Sequence, residues 1–231
     1  MLTNWDKLPD RMRTPEVKPY YDILNKKRFQ LVVKRVFDLV AALVLLAVLA
    51  LPMLVIAVWI KADSEGPVLY RQNRVTRDGK HFRIHKFRTM IANADRVGTA
   101  VTVGNDRRIT RAGEKLRRLR LDELPQLFDV IAGNMSFVGT RPEAVKYVDQ
   151  YKPEYFATLL LPAGITSEAS IRYKDEDKLL SAADDVDRVY LEQVLPEKMK
   201  WNLGELRSFR LLRELGTMFR TVGAVFGAHD N

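Results

Sequence analysis

The sequence predicts an α+β protein that is mostly helical and is built around one membrane-embedded helix, with a small β-hairpin and interfacial amphipathic helices. Three observations carry this prediction. Residues 39–60 form a run of 22 residues without a charged side chain or His. The pair Asp78-Gly79 separates two short segments typical of strands. The chain ends with apolar residues spaced by three or four, as on one face of a helix.

The apolar run has the length of a membrane helix. At about 1.5 Å per residue, its 22 residues extend about 33 Å, just enough to cross a bilayer core of about 30 Å. The run begins too late for a secretory signal peptide, and no small-residue cleavage site follows it. The alternative is a buried helix of a soluble core, but the length and uniformity of the run favour the membrane.

The path of this helix is predicted from Pro52 and from the flanking charges. Pro52 lies inside the run, where it removes a backbone hydrogen bond and favours a kink. Basic residues flank both ends of the run, and basic flanks prefer the cytoplasmic side. A re-entrant helix broken at Pro52 returns both flanks to that side, whereas a straight span places only one there. The sequence favours the re-entrant path and leaves a kinked span open.

Charge and composition divide the rest of the chain. Residues 1–30 are polar, contain three prolines and are predicted to form a loosely structured N-terminal arm. The membrane helix takes residues 31–61. Residues 62–231 are predicted to form a domain on the cytoplasmic face that ends in an amphipathic helix. Residues 65–120 carry 15 Lys and Arg against 5 Asp and Glu, so this stretch supplies the positive balance of the chain. Residues 175–197 carry 8 acidic and 2 basic residues and are expected to form a solvated helix and loop.

Composition excludes several kinds of chemistry. The 231 residues include no Cys, which removes disulfides, Cys-based zinc sites, iron–sulfur clusters and a thiol nucleophile. Hydrophobic residues make up 47% of the chain and charged residues 29%, so wholesale disorder is not expected. A net charge of +9 indicates an anionic partner, such as nucleic acid, membrane phospholipid or a phosphorylated substrate.

Several short helices and one longer helix are expected after the hairpin. The short helices are predicted at residues 89–97, 113–119, 124–131, 143–151 and 155–161. In the C-terminal helix, at residues 206–226, four arginines lie between the apolar residues, which suits a helix lying in a membrane interface. The alternative is a helix packed on the core of its own domain.

Three sequence features have the chemistry of a phosphate site. Asp122 and Glu123 are adjacent carboxylates at a predicted helix start, where they could take two catalytic roles or simply stabilise the helix dipole. Arg141 stands beside a proline in a turn-rich loop, and such a loop with an arginine can grip a phosphate. Lys86 and Arg88 are two residues apart in a predicted strand, so their side chains lie on the same face.

The order of these motifs resembles a known family, the bacterial sugar transferases that act as monotopic polyprenyl-phosphate phosphoglycosyl transferases. The resemblance covers residues 31–227, and the chain looks like the minimal catalytic form because no large domain precedes the match. The motifs that carry it are Lys34-Arg35-Val36-Phe37-Asp38, the apolar run with its proline, Gly66-Pro67-Val68-Leu69-Tyr70-Arg71-Gln72, Lys86-Phe87-Arg88-Thr89-Met90, Leu121-Asp122-Glu123-Leu124-Pro125-Gln126-Leu127 and Met135-Ser136-Phe137-Val138-Gly139-Thr140-Arg141-Pro142.

The resemblance implies an enzyme that moves a sugar-1-phosphate from a UDP-sugar to undecaprenyl phosphate and releases UMP, in the first membrane step of polysaccharide or glycoconjugate assembly. It implies a re-entrant helix, a monotopic location on the cytoplasmic face of the inner membrane, and a ping-pong reaction that requires Mg²⁺. Asp122 matches the covalent nucleophile and a metal ligand, and Glu123 matches its catalytic partner. Lys86, Arg117 and Arg141 match basic residues that face the substrate phosphates. Anionic phospholipid is expected as a further partner and nucleic acid is not, while the oligomeric state is left open, a homodimer included.

The chain departs from the family pattern in two places. Thr140 replaces the first proline of a Gly-Pro-Arg-Pro loop, and the 162–170 loop differs where contact with the sugar is expected. The identity of the sugar therefore stays open. The alternatives are a catalytically inactive scaffold of polysaccharide machinery and a membrane-anchored protein that binds nucleic acid. His81 and His85 lack a third metal ligand and are expected to be surface residues.

Overall fold

The computed structural model describes residues 2–92, 94, 106–173, 180, 183 and 185–226. It confirms a mostly helical fold with small sheets and one long apolar helix. The helices are α1 (Lys18–Asn25), α2 (Arg28–Asp63), α3 (Arg111–Arg118), α4 (Gln126–Ala132), α5 (Val145–Val148), α6 (Glu168–Arg172), α7 (Val186–Val189), α8 (Leu195–Arg207) and α9 (Leu211–Phe226). The strands are β1 (Leu69–Val75), β2 (His81–Phe87), β3 (Met135–Val138) and β4 (Ala163–Thr166). Short 3₁₀ helices lie at Trp5–Lys7, Asp10–Met12, Arg77–Gly79, Leu121–Glu123 and Pro153–Leu160.

Helix α2 contains the apolar run and has the length and composition of a membrane helix. One face packs on the rest of the chain at positions spaced by three or four, from Leu31 through Ala42 to Ile60. The other faces are exposed, and Val48 and Leu51 leave 67% and 70% of their surface uncovered. A buried helix of a soluble core is therefore excluded. The helix continues through Pro52, and a bend there stays a prediction.

The β1–β2 hairpin is confirmed. The strands pair antiparallel from Leu69 opposite Phe87 to Val75 opposite His81. Asp78 and Gly79 both adopt positive φ, 59° and 70°, in the turn between the strands. Because Gly and Asp accept this left-handed conformation more readily than most residues, the dipeptide fixes the turn and thereby the register of β2.

A second sheet, which the sequence did not predict, joins β3 and β4 in parallel. The backbones continue side by side beyond β3, where Gly139 N–H donates to Thr166 O at 3.0 Å and Gly164 N–H donates to Thr140 O at 2.9 Å. This close approach depends on the absence of side chains. A Cβ on Gly164 would lie 2.2 Å from the backbone N and O of Gly139.

Gly164→Ala is expected to lower the free energy of unfolding by about 1–3 kcal/mol, because the added methyl group must push β3 and β4 apart. The melting temperature should fall by several degrees. The matched control is Gly204→Ala in α8, where a Cβ meets nothing within 4 Å and helix propensity favours Ala. A melting temperature of Gly164→Ala equal to that of the Gly204→Ala control would contradict the close approach.

The N-terminal arm is ordered, so the prediction of a loosely structured segment is wrong. Residues 2–25 contain two 3₁₀ helices and α1. Met12 and Leu24 are fully buried, in a core that also contains Met199 and Leu203 of α8. Arg207 lies over the ring of Tyr20, at 5.1 Å from its centroid. The segment is polar on average, but its few apolar residues are buried, and their packing against the rest of the domain orders it.

The predicted C-terminal helix is divided into α8 and α9. Leu206 and Phe209, at the break, are buried in the same core as the N-terminal segment. In α9, Leu212 and Phe219 leave 81% and 77% of their surface exposed, and Thr217 is buried. The first residues of the predicted helix therefore pack on the core of the domain. The rest of it, α9, is an amphipathic helix with an exposed apolar face.

The other predicted helices have mixed outcomes. Helices α3 and α4 lie within one to two residues of their predicted positions, whereas α5 covers only part of residues 143–151, and 155–161 belongs to a 3₁₀ helix. The helix predicted at 89–97 is not formed in its described part, since Met90 pairs as an extended bridge with Ile109. Residues 93 and 95–97 lie outside the described residues, as do 174–179, 181, 182 and 184 in the acidic stretch.

Glu205 of α8 lies in a cluster of carboxylates beneath α9. Its Oε1 accepts a hydrogen bond from Glu168 N–H at 3.2 Å. Burial raises the pKa of Glu205 to about 7, and the nearby charges of Glu214 and Glu168 also raise it, whereas the charge of Arg213 lowers it. A raised pKa in the folded state means that the folded protein holds this proton more tightly than the unfolded chain does.

The free energy of unfolding is therefore expected to decrease as the pH rises from about 4.5 to about 7, since only the folded state keeps the Glu205 proton in that range. Glu205→Gln cannot ionise, so its melting temperature should change less between pH 5 and pH 8 and should exceed that of the wild type at pH 8. The exposed Glu192→Gln is the control. Equal pH profiles for wild type and Glu205→Gln would contradict this assignment.

Candidate active site

Three elements bring the predicted site residues together. Strand β2 carries Lys86 near its end, the 3₁₀ turn before α4 carries Asp122 and Glu123, and the loop after β3 carries Arg141. Both carboxylates are buried, at 8% and 9% exposure. This segment begins where α3 ends, so Arg117 in the last turn of α3 is brought close to Asp122.

Glu123 is the centre of the ion-pair network. Lys86 Nζ donates to its Oε1 at 2.9 Å. Arg141 donates from Nη2 to Oε1 and from Nη1 to Oε2, the latter at 3.3 Å, so its guanidinium faces both carboxylate oxygens. Burial raises the pKa of Glu123, but the charges of Arg141 and Lys86 outweigh it and hold the pKa well below its usual value. Glu123 is therefore a carboxylate that stays ionised and fixes two cations.

Asp122 has a different environment from its neighbour. Its Oδ1 is buried and has no hydrogen-bond partner among the described residues. Burial raises the pKa of Asp122, the charge of Lys86 lowers it, Glu123 raises it again, and Arg117 lowers it. The environments thus push the two pKa values apart, which is the pattern expected when adjacent carboxylates have separate roles. The arrangement leaves one unengaged carboxylate oxygen next to several cations.

The pKa of Lys86 is lowered overall, because the effect of burial exceeds that of its acidic partners. Burial lowers its pKa, while the charges of Glu123 and Asp122 and the hydrogen bond to Glu123 raise it. Tyr70 pairs with Lys86 across the hairpin and lies on the same face of the sheet. The strand therefore sets the position of the ammonium group relative to the carboxylate pair.

Arg88, which the sequence places on the same strand face as Lys86, does not belong to this site. It is 4% exposed, and its guanidinium donates to the backbone oxygens of Ile60, Ser64 and Glu65 at 3.3, 2.6 and 2.7 Å. Ile60 lies in the last turn of α2, and Ser64 and Glu65 follow the helix directly, so the guanidinium binds carbonyl oxygens at the C-terminal end of α2. Arg88 therefore caps the membrane helix, and the charge also suits the negative end of the helix dipole.

His85 is not a simple surface residue either. Its Nδ1 lies 2.9 Å from Asp129 Oδ1, and its backbone N–H donates to Asp129 Oδ2 at 2.9 Å. Asp129 is 1% exposed, so this pair joins β2 to α4 in a buried position. His81 is exposed, as predicted. Among the described residues, no group of three or more His, Asp and Glu is placed to hold a metal ion by itself.

Sequence reasoning missed two residues beside the carboxylates. Gln126 is 1% exposed, and neither atom of its amide has a partner among the described residues. It follows Asp122 by four residues in a helical segment, so both side chains lie on one face. Arg120 adopts a left-handed conformation two residues before Asp122. The signal for Gln126 was its place in the Asp-Glu-Leu-Pro-Gln motif, whereas backbone strain at Arg120 has no signal in the sequence.

A long apolar helix packs against a small domain that contains a buried carboxylate pair among basic side chains. The chain belongs to the bacterial sugar transferase family, whose sequence model matches residues 29–228. The match includes all of α2 except Arg28, the hairpin and every residue of the site.

The relatives of this chain act on undecaprenyl phosphate or take part in exopolysaccharide production. A UDP-N-acetylgalactosamine-undecaprenyl-phosphate N-acetylgalactosaminephosphotransferase of Aeromonas hydrophila is 34% identical over 202 residues, which cover 85% of this chain and 45% of the relative. A UDP-glucose:undecaprenyl-phosphate glucose-1-phosphate transferase of Caulobacter vibrioides is 36% identical over 192 residues, 82% of this chain and 68% of the relative. The exopolysaccharide production protein PSS of Rhizobium leguminosarum is 43% identical over 149 residues, 62% of this chain and 74% of the relative. The chain thus spans less than half the length of the first relative.

Proposed function

We propose that this chain is a phosphoglycosyl transferase that moves a sugar-1-phosphate from a UDP-sugar to undecaprenyl phosphate and releases UMP. The observation that carries the proposal is the unengaged oxygen of buried Asp122, beside a Glu123 that already holds Lys86 and Arg141. An anionic nucleophile can approach a diphosphate only where cations reduce the repulsion between them. Family membership and the names of the relatives support the same reaction.

The reaction takes two displacements at phosphorus. In the first, a carboxylate oxygen of Asp122 attacks the sugar-bearing phosphorus, the bond to the bridging oxygen breaks, and UMP leaves with that oxygen. In the second, an oxygen of undecaprenyl phosphate attacks the same phosphorus, the bond to Asp122 breaks, and the carboxylate is regenerated. The covalent intermediate lets a soluble donor and a lipid acceptor use one site in turn.

The chain's own residues supply orientation and charge for both displacements. Glu123 keeps Lys86 and Arg141 at fixed positions, so their donors face the transferring phosphoryl group. Burial raises the pKa of Asp122, and the charges of Lys86 and Arg117 offset part of that effect. The two carboxylates therefore have separate roles. Asp122 forms the bond to phosphorus, and Glu123 positions Lys86 and Arg141.

The residues present fit a magnesium ion shared with the substrate. Mg²⁺ prefers oxygen ligands and is commonly bound by one or two carboxylates together with substrate phosphates. Asp122 Oδ1 is a buried carboxylate oxygen without a partner among the described residues, and it is the ligand that this chain offers. When bound, Mg²⁺ would neutralise charge on the phosphate oxygens.

We further propose that α2 is re-entrant, bends at Pro52 and enters the inner membrane from the cytoplasmic face. Arg35, near its beginning, donates to Val130 O at 2.6 Å, whereas Arg88 caps its end. Residues 2–25 before the helix share a core with α8 after it. A core of this kind forms on one side of a membrane, so both ends of α2 belong on the same side.

The exposed apolar side chains of α9 and those described basic residues of 65–120 that are exposed would then contact the lipid surface, with anionic phospholipid as the favoured partner. Cysteines introduced at two exposed positions test this topology: Asn4 precedes α2 in the sequence, and Glu65 follows it. Labelling of the two cysteines from opposite faces of membrane vesicles would exclude the re-entrant path.

The proposed function is tested with a panel of UDP-sugars, undecaprenyl phosphate and MgCl₂, with UMP release as the readout. We expect release with at least one donor, and formation of a polyprenyl-diphospho-sugar only when the acceptor is present. Absence of UMP release with every donor would contradict the proposal and favour an inactive scaffold. The same panel identifies the sugar.

A further inference from the structure

Arg120 has a strained backbone conformation next to the carboxylate pair. Its φ and ψ are 55° and 19°, in the left-handed region. Among the described residues, Asp78 is the only other non-glycine residue with positive φ, and it lies in the hairpin turn. A long side chain rarely adopts this conformation because its Cβ approaches the following carbonyl oxygen. Strain of this kind is concentrated at functional sites.

The backbone role of Arg120 does not require an arginine. Its N–H donates to Arg117 O at 3.1 Å, and its O accepts from Glu123 N–H at 3.2 Å. These bonds end α3 and begin the turn that carries the carboxylates. Gly or Asn forms such a left-handed junction with less strain. What arginine adds at this position is therefore its side chain.

The side chain of Arg120 is exposed and forms no hydrogen bond or ion pair with any described residue. Arg120 lies two residues before Asp122, and its carbonyl oxygen accepts from Glu123 N–H, so its charge is close enough to oppose the effect of burial on the pKa of both carboxylates. Lys86 and Arg141 differ from it, because both already donate to Glu123. Arg120 thus combines proximity to Asp122 with a guanidinium whose donors are available.

We propose that the guanidinium of Arg120 binds the diphosphate of the nucleotide-sugar donor and holds the sugar-bearing phosphate in front of Asp122. This inference rests on the proposed function. A planar guanidinium presents two parallel N–H donors to phosphate oxygens, and charge-assisted pairs of this kind are the strong ones. Lys86 and Arg141 are fixed on Glu123 on the buried side of the site. The exposed guanidinium of Arg120 would contact the diphosphate from the solvent side.

The test compares Arg120→Asn with Arg118→Asn in the full-length protein. Asn tolerates a left-handed conformation but carries no charge, and Arg118 is an exposed arginine in the last turn of α3. With UDP and MgCl₂ as the probe, we expect the Kd of Arg120→Asn to rise about tenfold and that of Arg118→Asn to stay within about twofold. The KM for the active UDP-sugar should rise in parallel. Arg120→Lys should bind UDP more tightly than Arg120→Asn but less tightly than the wild type, because it keeps the positive charge and loses the planar pair of N–H donors.

Stability separates binding from a structural role. The melting temperature of Arg120→Asn should equal or exceed that of the wild type, since the left-handed strain is relieved. A lower melting temperature with an unchanged Kd would overturn the inference, as would equal Kd values for the two Asn variants. If the wild type binds UDP and turns over while Arg120→Asn matches it, only this inference fails. If the wild type neither binds UDP nor releases UMP, the proposed function fails with it.

Discussion

Asp122→Asn is expected to abolish sugar-phosphate transfer, with a loss on the order of 10⁴-fold or more, because an amide cannot form the acyl phosphate. Labelled sugar should be recoverable on the wild-type protein when the donor is added without the acceptor, and should be absent from the variant. The fold should survive. Burial raises the pKa of Asp122, so removing this charge is expected to maintain or increase the free energy of unfolding at neutral pH.

The matched control is Asp149→Asn, which removes an exposed carboxylate that makes no contact with Asp122 or Glu123. It should keep wild-type turnover and wild-type labelling. Turnover retained in Asp122→Asn would contradict the covalent route. Steady-state kinetics that require both substrates to be bound at once would also contradict it, even if the variant were inactive.

Glu123→Gln is expected to lower both the free energy of unfolding and turnover. Its effect on stability is thus opposite to that of Asp122→Asn. It leaves Lys86 and Arg141 without the carboxylate that fixes them. Breaking a fully buried ion pair costs about 3–5 kcal/mol. Here the cations keep 22% and 30% of their side-chain surface exposed, so a loss of about 2 kcal/mol is more appropriate. Turnover should fall by about 10²–10⁴-fold, since the phosphate-facing donors lose their positions.

The pH dependence gives this prediction a second readout. The pKa of Glu123 is held well below its usual value in the folded state, so its stabilising effect is present above about pH 4.3 and is lost on acidification. The melting temperatures of wild type and Glu123→Gln should therefore differ most near neutral pH and converge in acid. Glu114→Gln, at an exposed position of α3, is the control and should follow the wild type. A constant difference across the pH range would mean that the ion pairs are not the source.

Local patterns were sufficient to predict α2, the hairpin and the approximate positions of α3 and α4. Each of these elements is specified by neighbouring residues: an uncharged run, an Asp-Gly turn, or a helical spacing. The residues of the site could also be named from the motifs that they occupy. Their contacts could not, because Lys86, Glu123 and Arg141 come from three separate elements, and spacing along the chain does not fix distances between elements.

The features that sequence reasoning missed depend on distant contacts. Strands β3 and β4 have four residues each and meet through the backbones near Gly139 and Gly164, so side-chain periodicity carries no signal. The N-terminal segment is ordered by packing on α8, nearly 200 residues away in the sequence. The role of Arg88 could not be assigned from the sequence, because its charge suits both a phosphate and the end of a helix, and only the fold decides between them.

The packing of residues 2–25 against α8 has a consequence for biosynthesis. Met12 and Leu24 are translated at least 175 residues before Met199 and Leu203, with which they share a core. While that stretch is synthesised these apolar side chains lack their native cover, although the apolar helix α2 next to them has already been made. A nascent polypeptide interrupted before residue 195 would therefore remain a substrate for chaperones and proteases.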